Sequence, residues 1–213
     1  MGPQTDKLFL EVAGRPLVAH TWERFERAAC IDEIVIVMRE GMEQTFNELG
    51  AKFSFRKPFR FARGGKERQD SVWNGLQALD PASEIVAIQD AARPCTKEAL
   101  IQATVDAARQ HGAAVAAQLV SDTIKESADG AFICAHLDRS RLWAVQTPQT
   151  FRTGVIRRAL ERAREKGVVA TDDTAACELV GQPVRLVGGF GPNPKLTFPD
   201  DVPFLELLLK GPK

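Results

Sequence analysis

Two short segments carry the residues best suited to chemistry. Gly64-Gly65-Lys66-Glu67-Arg68-Gln69-Asp70-Ser71-Val72 holds a glycine pair, a guanidinium and a hydroxyl, and Gln89-Asp90-Ala91-Ala92-Arg93-Pro94 sets a carboxylate where an apolar run ends. Gly64 and Gly65 let backbone amides approach a ligand without interference from a Cβ. Arg68 and Ser71 behind them offer a fixed cation and a hydroxyl to phosphate, ribose or base. Asp90 is positioned for sugar hydroxyls or for a metal ion bound to phosphates. Together the segments outline a site for an anionic, nucleotide-like ligand; either one alone also reads as a glycine turn followed by a helix N-cap.

Two lysines lie far apart in sequence but suit the same chemistry. Lys7 precedes the apolar run Leu8-Phe9-Leu10, and Lys195 sits in Asn193-Pro194-Lys195-Leu196-Thr197. Phosphoryl and nucleotidyl transfer need little covalent help from a protein; they depend on cations that hold the phosphates in line and neutralise charge in the transition state. Lys7, Lys195 and Arg68 have the charges for that task, although each lysine taken alone reads as a surface residue. Asp122-Thr123, Asp138-Arg139 and Thr147-Pro148-Gln149 add hydroxyls and a guanidinium suited to a phosphorylated sugar alcohol, against a plainer reading as turn caps and solvated hairpin charges. Thr171-Asp172-Asp173-Thr174 reads first as a helix cap with acids at the N-terminus, with Thr171 still available to a ligand phosphate. His20, His111 and His136 lack a neighbouring nucleophile motif, and Trp22, Trp73 and Trp143 are spaced too widely for a base-stacking stripe.

The elements that must position these residues alternate along most of the chain. Pro16 opens a helix that runs to about Ala29, and the β-branched run from Glu33 to Met38 reads as a strand buried on both faces. A helix over 41–49, a weaker strand over 52–55, a basic stretch over 56–63 and a helix from about Glu67 to Leu79 follow. Glu84 to Gln89 is a second apolar strand, and Thr96 caps a helix towards His111. This alternation implies an α/β fold, mostly a parallel sheet with helices on both faces. The rhythm breaks in four strand-like stretches at 113–119, 122–126, 131–135 and 142–146, with a hairpin turn at Ser127-Ala128-Asp129-Gly130. They cannot all enter a parallel core sheet, so part of them, at about 120–146, is expected to project as an antiparallel β-arm. A helix over 152–166, a short helix capped by Thr171 or Asp172, a strand over 183–187, a loop over 188–197 and a closing helix from Pro199 complete the reading, with a frayed tail at 210–213.

Composition bounds the class. A 213-residue chain with 44% hydrophobic residues supports one substantial core, so a single domain over 1–213 is expected. Lys plus Arg and Asp plus Glu both number 28, which leaves no global field to attract nucleic acid or a membrane surface, and any anion site must be local. Cys30, Cys95, Cys134 and Cys177 are widely spaced, without a CxxC pair, and read as reduced thiols of a cytoplasmic protein. No stretch approaches the roughly 18 apolar residues of a membrane span, and the first residues lack an apolar signal core.

On these segments the chain resembles the 2-C-methyl-D-erythritol 4-phosphate cytidylyltransferases of the non-mevalonate isoprenoid pathway, along nearly its whole length. The specific matches are 64–72, Asp90 to Pro94, Asp122 to Lys125, Asp138 to Trp143 through Thr147-Pro148-Gln149, Thr171-Asp172, and Lys195 to Asp201. Related ribitol-phosphate enzymes share the framework, but the first two segments resemble the methylerythritol branch more closely. The resemblance implies a Rossmann-like nucleotidyltransferase fold in which the phosphate of methylerythritol phosphate attacks the α-phosphorus of CTP and releases pyrophosphate, with Mg2+ carried on the triphosphate. It implies that Gly64, Gly65, Lys66, Arg68, Ser71, Asp90 and Ala91 bind the nucleotide, with Asp90 also able to reach the metal. Lys7 and Lys195 would stabilise the transition state. Arg93, Thr123, Arg139, Thr147 and Thr171 would hold the polyol phosphate, Arg139 also acting in catalysis, some of them reaching across a homodimer through the β-arm. Gln89 stands where a His often precedes the Asp, and its amide can make similar hydrogen bonds.

Family members also begin with an apolar strand and a Gly-rich, arginine-bearing loop ahead of the lysine matched by Lys7, whereas this sequence starts at Met1-Gly2, within or after that loop. The expectation is therefore that the natural chain starts upstream, and that its first strand lies between those at 33–38 and 84–89. A genuine start at Met1 would favour instead a non-catalytic, dimeric binding or scaffold member.

Overall fold

Residues 7–211 are described by a computed structural model, and the expected loop residues at Met1-Gly2 lie outside them. A short 3-10 helix, Lys7–Phe9, leads into the hairpin β1 (Glu11–Val12) and β2 (Arg15–Pro16). Its turn residues Ala13 and Gly14 both take positive φ, 50° and 76°, as the tightest hairpin turns require. Then follow α1 (Leu17–Arg27), β3 (Ile34–Met38), α2 (Glu43–Lys52), β4 (Phe59–Arg63), α3 (Arg68–Ala78), β5 (Ile85–Ile88) and α4 (Glu98–His111). The second half contributes β6 (Ala113–Leu119), β7 (Lys125–Glu126), β8 (Ala135–His136), β9 (Trp143–Arg152), α5 (Thr153–Glu165), α6 (Asp173–Glu178), β10 (Arg185–Val187) and α7 (Val202–Lys210).

Several expectations move. The strand expected over 52–55 lies instead at β4, inside the stretch read as merely basic. Phe59-Arg60-Phe61-Ala62-Arg63 alternates, and its two phenylalanines enter the cluster of Trp22, Phe46 and Leu49. Lys52 ends α2 instead. Thr96 does not cap α4: the cap position is Lys97, and the Thr96 hydroxyl donates to Asn193 Oδ1 at 2.9 Å. The strand expected over 142–146 continues to Arg152, so β9 passes through Thr147 and Pro148, joined by a cis peptide bond, into the core of the sheet.

One sheet has the order β10-β6-β9-β5, with β10 parallel to β6 and β9 antiparallel to both its neighbours. Residues 113–117 of β6 are all buried, as expected of a strand covered on both faces. β5 shows where the covers lie. Val86 and Ile88 pack with α3, α5 and α6 around Leu76, Ile156 and Leu160, and Ala87 turns to the other side, against Phe25 of α1 and Ile101 of α4. β3 and β4 form a separate parallel pair, so the expected continuous sheet is divided between β3 and β5. β7 and β8 make a third, isolated pair, the expected arm, closed by a turn in which the Asp129 carboxylate accepts from the amides of Ala131 and Phe132 at 2.9 Å each. Among the described residues no helix is long and apolar enough to cross a membrane.

Candidate functional site

The fold brings the two ends of the described chain together beside β5. Leu8 and Leu10 pack with Leu17, Leu196 and Leu205 in one apolar cluster, which sets Lys7 next to the loop that carries Lys195. Lys7 Nζ donates to Leu196 O at 3.4 Å, across 189 positions of sequence. The same loop is tied to the end of β5 by Leu196 N donating to Ala92 O at 2.9 Å.

Asp90 is the hub. It lies just past the carboxyl end of β5, the edge at which open α/β sheets bind ligands. Its Oδ2 is 3.1 Å from Lys195 Nζ and 3.3 Å from Arg93 Nε, and its amide donates to Thr147 Oγ1 at 3.1 Å. Burial opposes ionisation of Asp90, but Lys195, Arg93 and Arg68 outweigh it and hold the carboxyl below its ordinary value. The two partners on Oδ2 differ in freedom. Arg93 is 12% exposed and also donates to Asn193 O at 2.7 Å, so it is locked; Lys195 is 41% exposed and has room to turn to a ligand phosphate.

Beside Asp90 stands the N-terminal turn of α3. Glu67 and Asp70 form a reciprocal cap there, with Glu67 N donating to Asp70 Oδ2 at 3.2 Å. Gly65 N donates to Ser71 Oγ at 2.9 Å, and a Cβ on Gly65 would lie 2.2 Å from that of Asp70. The first need for glycine at position 65 is thus close packing on its own helix, and the open approach expected for a ligand comes with it. Arg68 NH2 lies 2.7 Å from Asp173 Oδ2, an ion contact without the alignment of a hydrogen bond. Asp173 is 1% exposed, and burial pushes its carboxyl up although Arg68 pulls it down. Burial would depress the Arg68 guanidinium, but Asp173 and Asp90 keep it above its ordinary value and firmly charged.

Lys195, Arg93 and Thr147 meet at Asp90, which also feels the charge of Arg68, Lys7 reaches the Lys195 loop, and Ala91 adjoins Asp90 with its carbonyl accepting from Thr21 Oγ1 at 2.7 Å. Thr147 is buried, 3% exposed, and serves Asp90 and Asn193 rather than facing open solvent. Lys66 is exposed at the glycine turn. Thr171 and the arm residues Thr123 and Arg139 stand apart from this group. Thr123 and Thr171 are exposed, and Arg139 donates to Ser121 O at 2.7 Å. Among the described residues no hydrogen bond or ion pair links any of the three to Asp90, Lys195 or Arg68.

Three contributors were not singled out from the sequence. Asp173 anchors Arg68. Gln149 accepts from Asp173 N at 3.0 Å and donates to Asp172 Oδ2 at 3.0 Å, which sets α6 against the sheet. Asn193, 3% exposed, accepts from Thr96 and donates to Thr147 O at 2.8 Å, which locks the Lys195 loop to β9. Each stood in a segment quoted for its neighbours, Asp173 beside Thr171, Gln149 beside Thr147 and Asn193 beside Lys195, without a role of its own. Among the described residues no cluster of three or more His, Cys, Asp or Glu is arranged to hold a metal ion. A cation-lined recess closed by one ionised carboxylate suits a polyphosphate that brings its own metal.

Comparison with known proteins agrees. The family profile described as "IspD: 2-C-methyl-D-erythritol 4-phosphate cytidylyltransferase" matches residues 1–211. The enzyme of that name from Geobacillus kaustophilus is 44% identical over 209 residues, 98% of this chain and 91% of the relative. The crystal structure of 4-diphosphocytidyl-2C-methyl-D-erythritol synthase from Anaerococcus prevotii superposes with a TM-score of 0.87 at 30% identity, covering 96% of this chain and 93% of that one. That of the Thermus thermophilus cytidylyltransferase gives 0.81 at 34% identity, with coverage of 96% and 94%.

Proposed function

The chain belongs to the 2-C-methyl-D-erythritol 4-phosphate cytidylyltransferase family, and from that premise we propose that it transfers the cytidylyl group of CTP to 2-C-methyl-D-erythritol 4-phosphate. A phosphate oxygen of the alcohol forms a bond to the α-phosphorus of CTP, the bond between the α-phosphorus and the bridging oxygen to the β-phosphate breaks, and pyrophosphate leaves with that oxygen. The product is 4-diphosphocytidyl-2-C-methyl-D-erythritol, an isoprenoid precursor. The observation that carries this reading is the convergence of Lys195, Arg93 and Arg68 on Asp90, with Lys7 beside them.

Roles follow from freedom of movement and charge. Lys195, half exposed, exchanges Asp90 for the oxygens that gain charge in the transition state, and Lys7 supports it from the adjoining turn. Arg68, held by Asp173, fixes the nucleotide phosphates. The turn of Gly64, Gly65 and Lys66, with Ser71 and Ala91, lines the cytosine and ribose. Asp90 spaces the cations before CTP arrives and then meets ribose hydroxyls or the metal. The residues fit Mg2+ carried by the triphosphate, since one carboxylate is enough for an ion whose other ligands are phosphates and water. When bound, that ion would neutralise charge on the triphosphate.

Arg93, Thr147 and Thr171 lie on the core side of the alcohol site, and Thr123 and Arg139 on the arm. Arm and core of one chain are not in contact through these residues, which supports a homodimer in which the arm of one subunit completes the site of the other. Phe132 and Ile133, 77% and 67% exposed at the arm, supply an apolar surface for that pairing. A single domain working in the reducing cytoplasm, with its cysteines unpaired, is consistent with the free thiols.

Pyrophosphate release by purified protein, with CTP and either methylerythritol phosphate or ribitol 5-phosphate, tests the reading. Release only with methylerythritol phosphate is expected. Release only with ribitol phosphate reassigns the alcohol, and no release with either supports a scaffold member.

A further inference from the structure

Thr171 stands in the connection between α5 and α6, and the backbone there is held at few points. Val168 N still donates to Ala163 O at 2.9 Å, at the end of α5. Asp172 begins α6, its carboxylate accepting from Ala175 N at 2.8 Å, and Gln149 accepts from Asp173 N at 3.0 Å. Between Val168 and Asp172 one hydrogen bond fixes the backbone among the described residues: Ala170 N donates to Gln69 Oε1 at 3.1 Å, across 101 positions of sequence. The Ala170 methyl packs against the core cluster shared by α3, α5 and α6, which fixes where the residue lies but not how its peptide planes turn. Val169 on one side is 63% exposed and Thr171 on the other is exposed, so neither neighbour adds an anchor.

We propose that Gln69 is a positioning residue for the phosphate of the alcohol: its side-chain carbonyl fixes the backbone at Ala170, and through it the place of the Thr171 hydroxyl. The inference rests on the transferase reading, in which Thr171 meets that phosphate. Gln69 lies in the first turn of α3, directly after Arg68. Arg68 reaches Asp173 beyond Thr171, and Gln69 holds Ala170 before it, so one helical turn grips the chain on both sides of the hydroxyl. The same turn closes the glycine segment proposed to line the nucleotide, with Gly65 N donating to Ser71 Oγ at 2.9 Å. Nucleotide and alcohol sites are thereby spaced from a single rigid element, which is what alignment of two reactants needs. The residue type fits the task as well. Asp70, Asp172 and Asp173 already stand next to Gln69 or within three residues of Ala170 in sequence, so an uncharged acceptor binds the amide without adding repulsion for an incoming phosphate.

A double-mutant cycle in steady-state pyrophosphate release on the full chain tests this. Gln69→Met keeps the length of the side chain and removes the acceptor. It is expected to raise KM for methylerythritol phosphate by about fivefold, as for loss of one hydrogen bond, with kcat and KM for CTP unchanged. Thr171→Ala should raise the same KM by at least as much, and the double variant no further than Thr171→Ala alone, because Gln69 acts through that hydroxyl. Hydrogen–deuterium exchange adds a readout without catalysis: the Ala170 amide is expected to exchange about tenfold faster in Gln69→Met than in the wild type, with the Asp173 amide, held by Gln149, unchanged. Effects that multiply in the double variant, an equal rise in both KM values, no rise with Gln69→Met, or unchanged exchange at Ala170 overturns the proposal. A wild type that releases no pyrophosphate with methylerythritol phosphate overturns the transferase reading and this inference with it, whereas any of the preceding results with an active wild type overturns the inference alone.

Discussion

The two halves of the candidate site are built in opposite ways. Around Asp90 each group has an assigned partner inside the chain: Lys195 and Arg93 on the carboxylate, Arg68 on Asp173, Thr147 and Asn193 on each other. On the arm, Arg139 holds only a nearby carbonyl, Lys125 Nζ meets His136 Nδ1 at 2.7 Å across the ladder, and Phe132 and Ile133 face solvent. The first half is pre-organised for charge before a ligand arrives, which is what transition-state stabilisation requires. The second half is ordered within itself, and among the described residues no hydrogen bond or ion pair joins Thr123 or Arg139 to the Asp90 cluster. The difference teaches that charge alone can order a site within one chain, whereas the arm's role in the proposed reaction depends on what it meets.

Removing Lys195 should break the first half most severely. Lys195→Ala is expected to lower kcat by about 100- to 1,000-fold, as for loss of one preorganised charge donor, with circular dichroism unchanged; a variant near wild-type activity would leave the cluster with no part in the reaction. Arg139→Ala addresses the second half. Loss of one charge-assisted hydrogen bond predicts a rise of roughly 10- to 100-fold in KM for the alcohol phosphate, with KM for CTP unchanged. Mixing the two variants sharpens the comparison further. If the arm acts across the dimer, random reassociation assayed at an alcohol concentration well below the KM of the Arg139 variant restores about a quarter of wild-type activity, because half the dimers are mixed and one of their two sites is intact. If the arm acts within its own chain, mixing restores nothing.

Asp173→Asn tests whether the Arg68 anchor matters. The amide keeps the shape and removes the charge, and kcat/KM for CTP is expected to fall by about tenfold through misplacement of Arg68. The smallest effect lies away from both halves, at His20, whose buried Nε2 donates to Val12 O at 2.7 Å. Burial depresses its pKa, so the unfolded chain takes up the proton first. The stability this contributes is complete above the unfolded value of about 6.5 and is lost as pH falls from there to the depressed native value. Denaturant midpoints measured across that window should fall for the wild type and stay flatter for His20→Gln.

Much of this was readable along the chain. The strands near 34–38 and 85–88 and the helices at 68–78, 98–111 and 153–165 follow from runs of apolar residues with a clear period, and the residues gathered at Asp90 follow from charge and glycine placement. What was missed depends on contacts between distant residues. Arg60 and Arg63 disguised β4 as a basic stretch, because its phenylalanines declare a strand only once Trp22 and Phe46 are there to receive them. Pro148 hid the length of β9, since a proline argues against a central strand until its neighbours are known. Asn193 and Thr96 meet across 97 positions, and neither carries a local sign of the other.

The central claim is direct displacement of pyrophosphate by the alcohol phosphate at the Asp90 cluster. Methylerythritol phosphate labelled with oxygen-18 in its phosphate, incubated with CTP and the purified protein, tests it most directly by mass spectrometry and phosphorus NMR of the products. The account predicts label in the oxygen bridging the two phosphorus atoms of the cytidyl product and none in pyrophosphate. An unlabelled bridging oxygen, label in pyrophosphate, or no cytidyl product at all would contradict it.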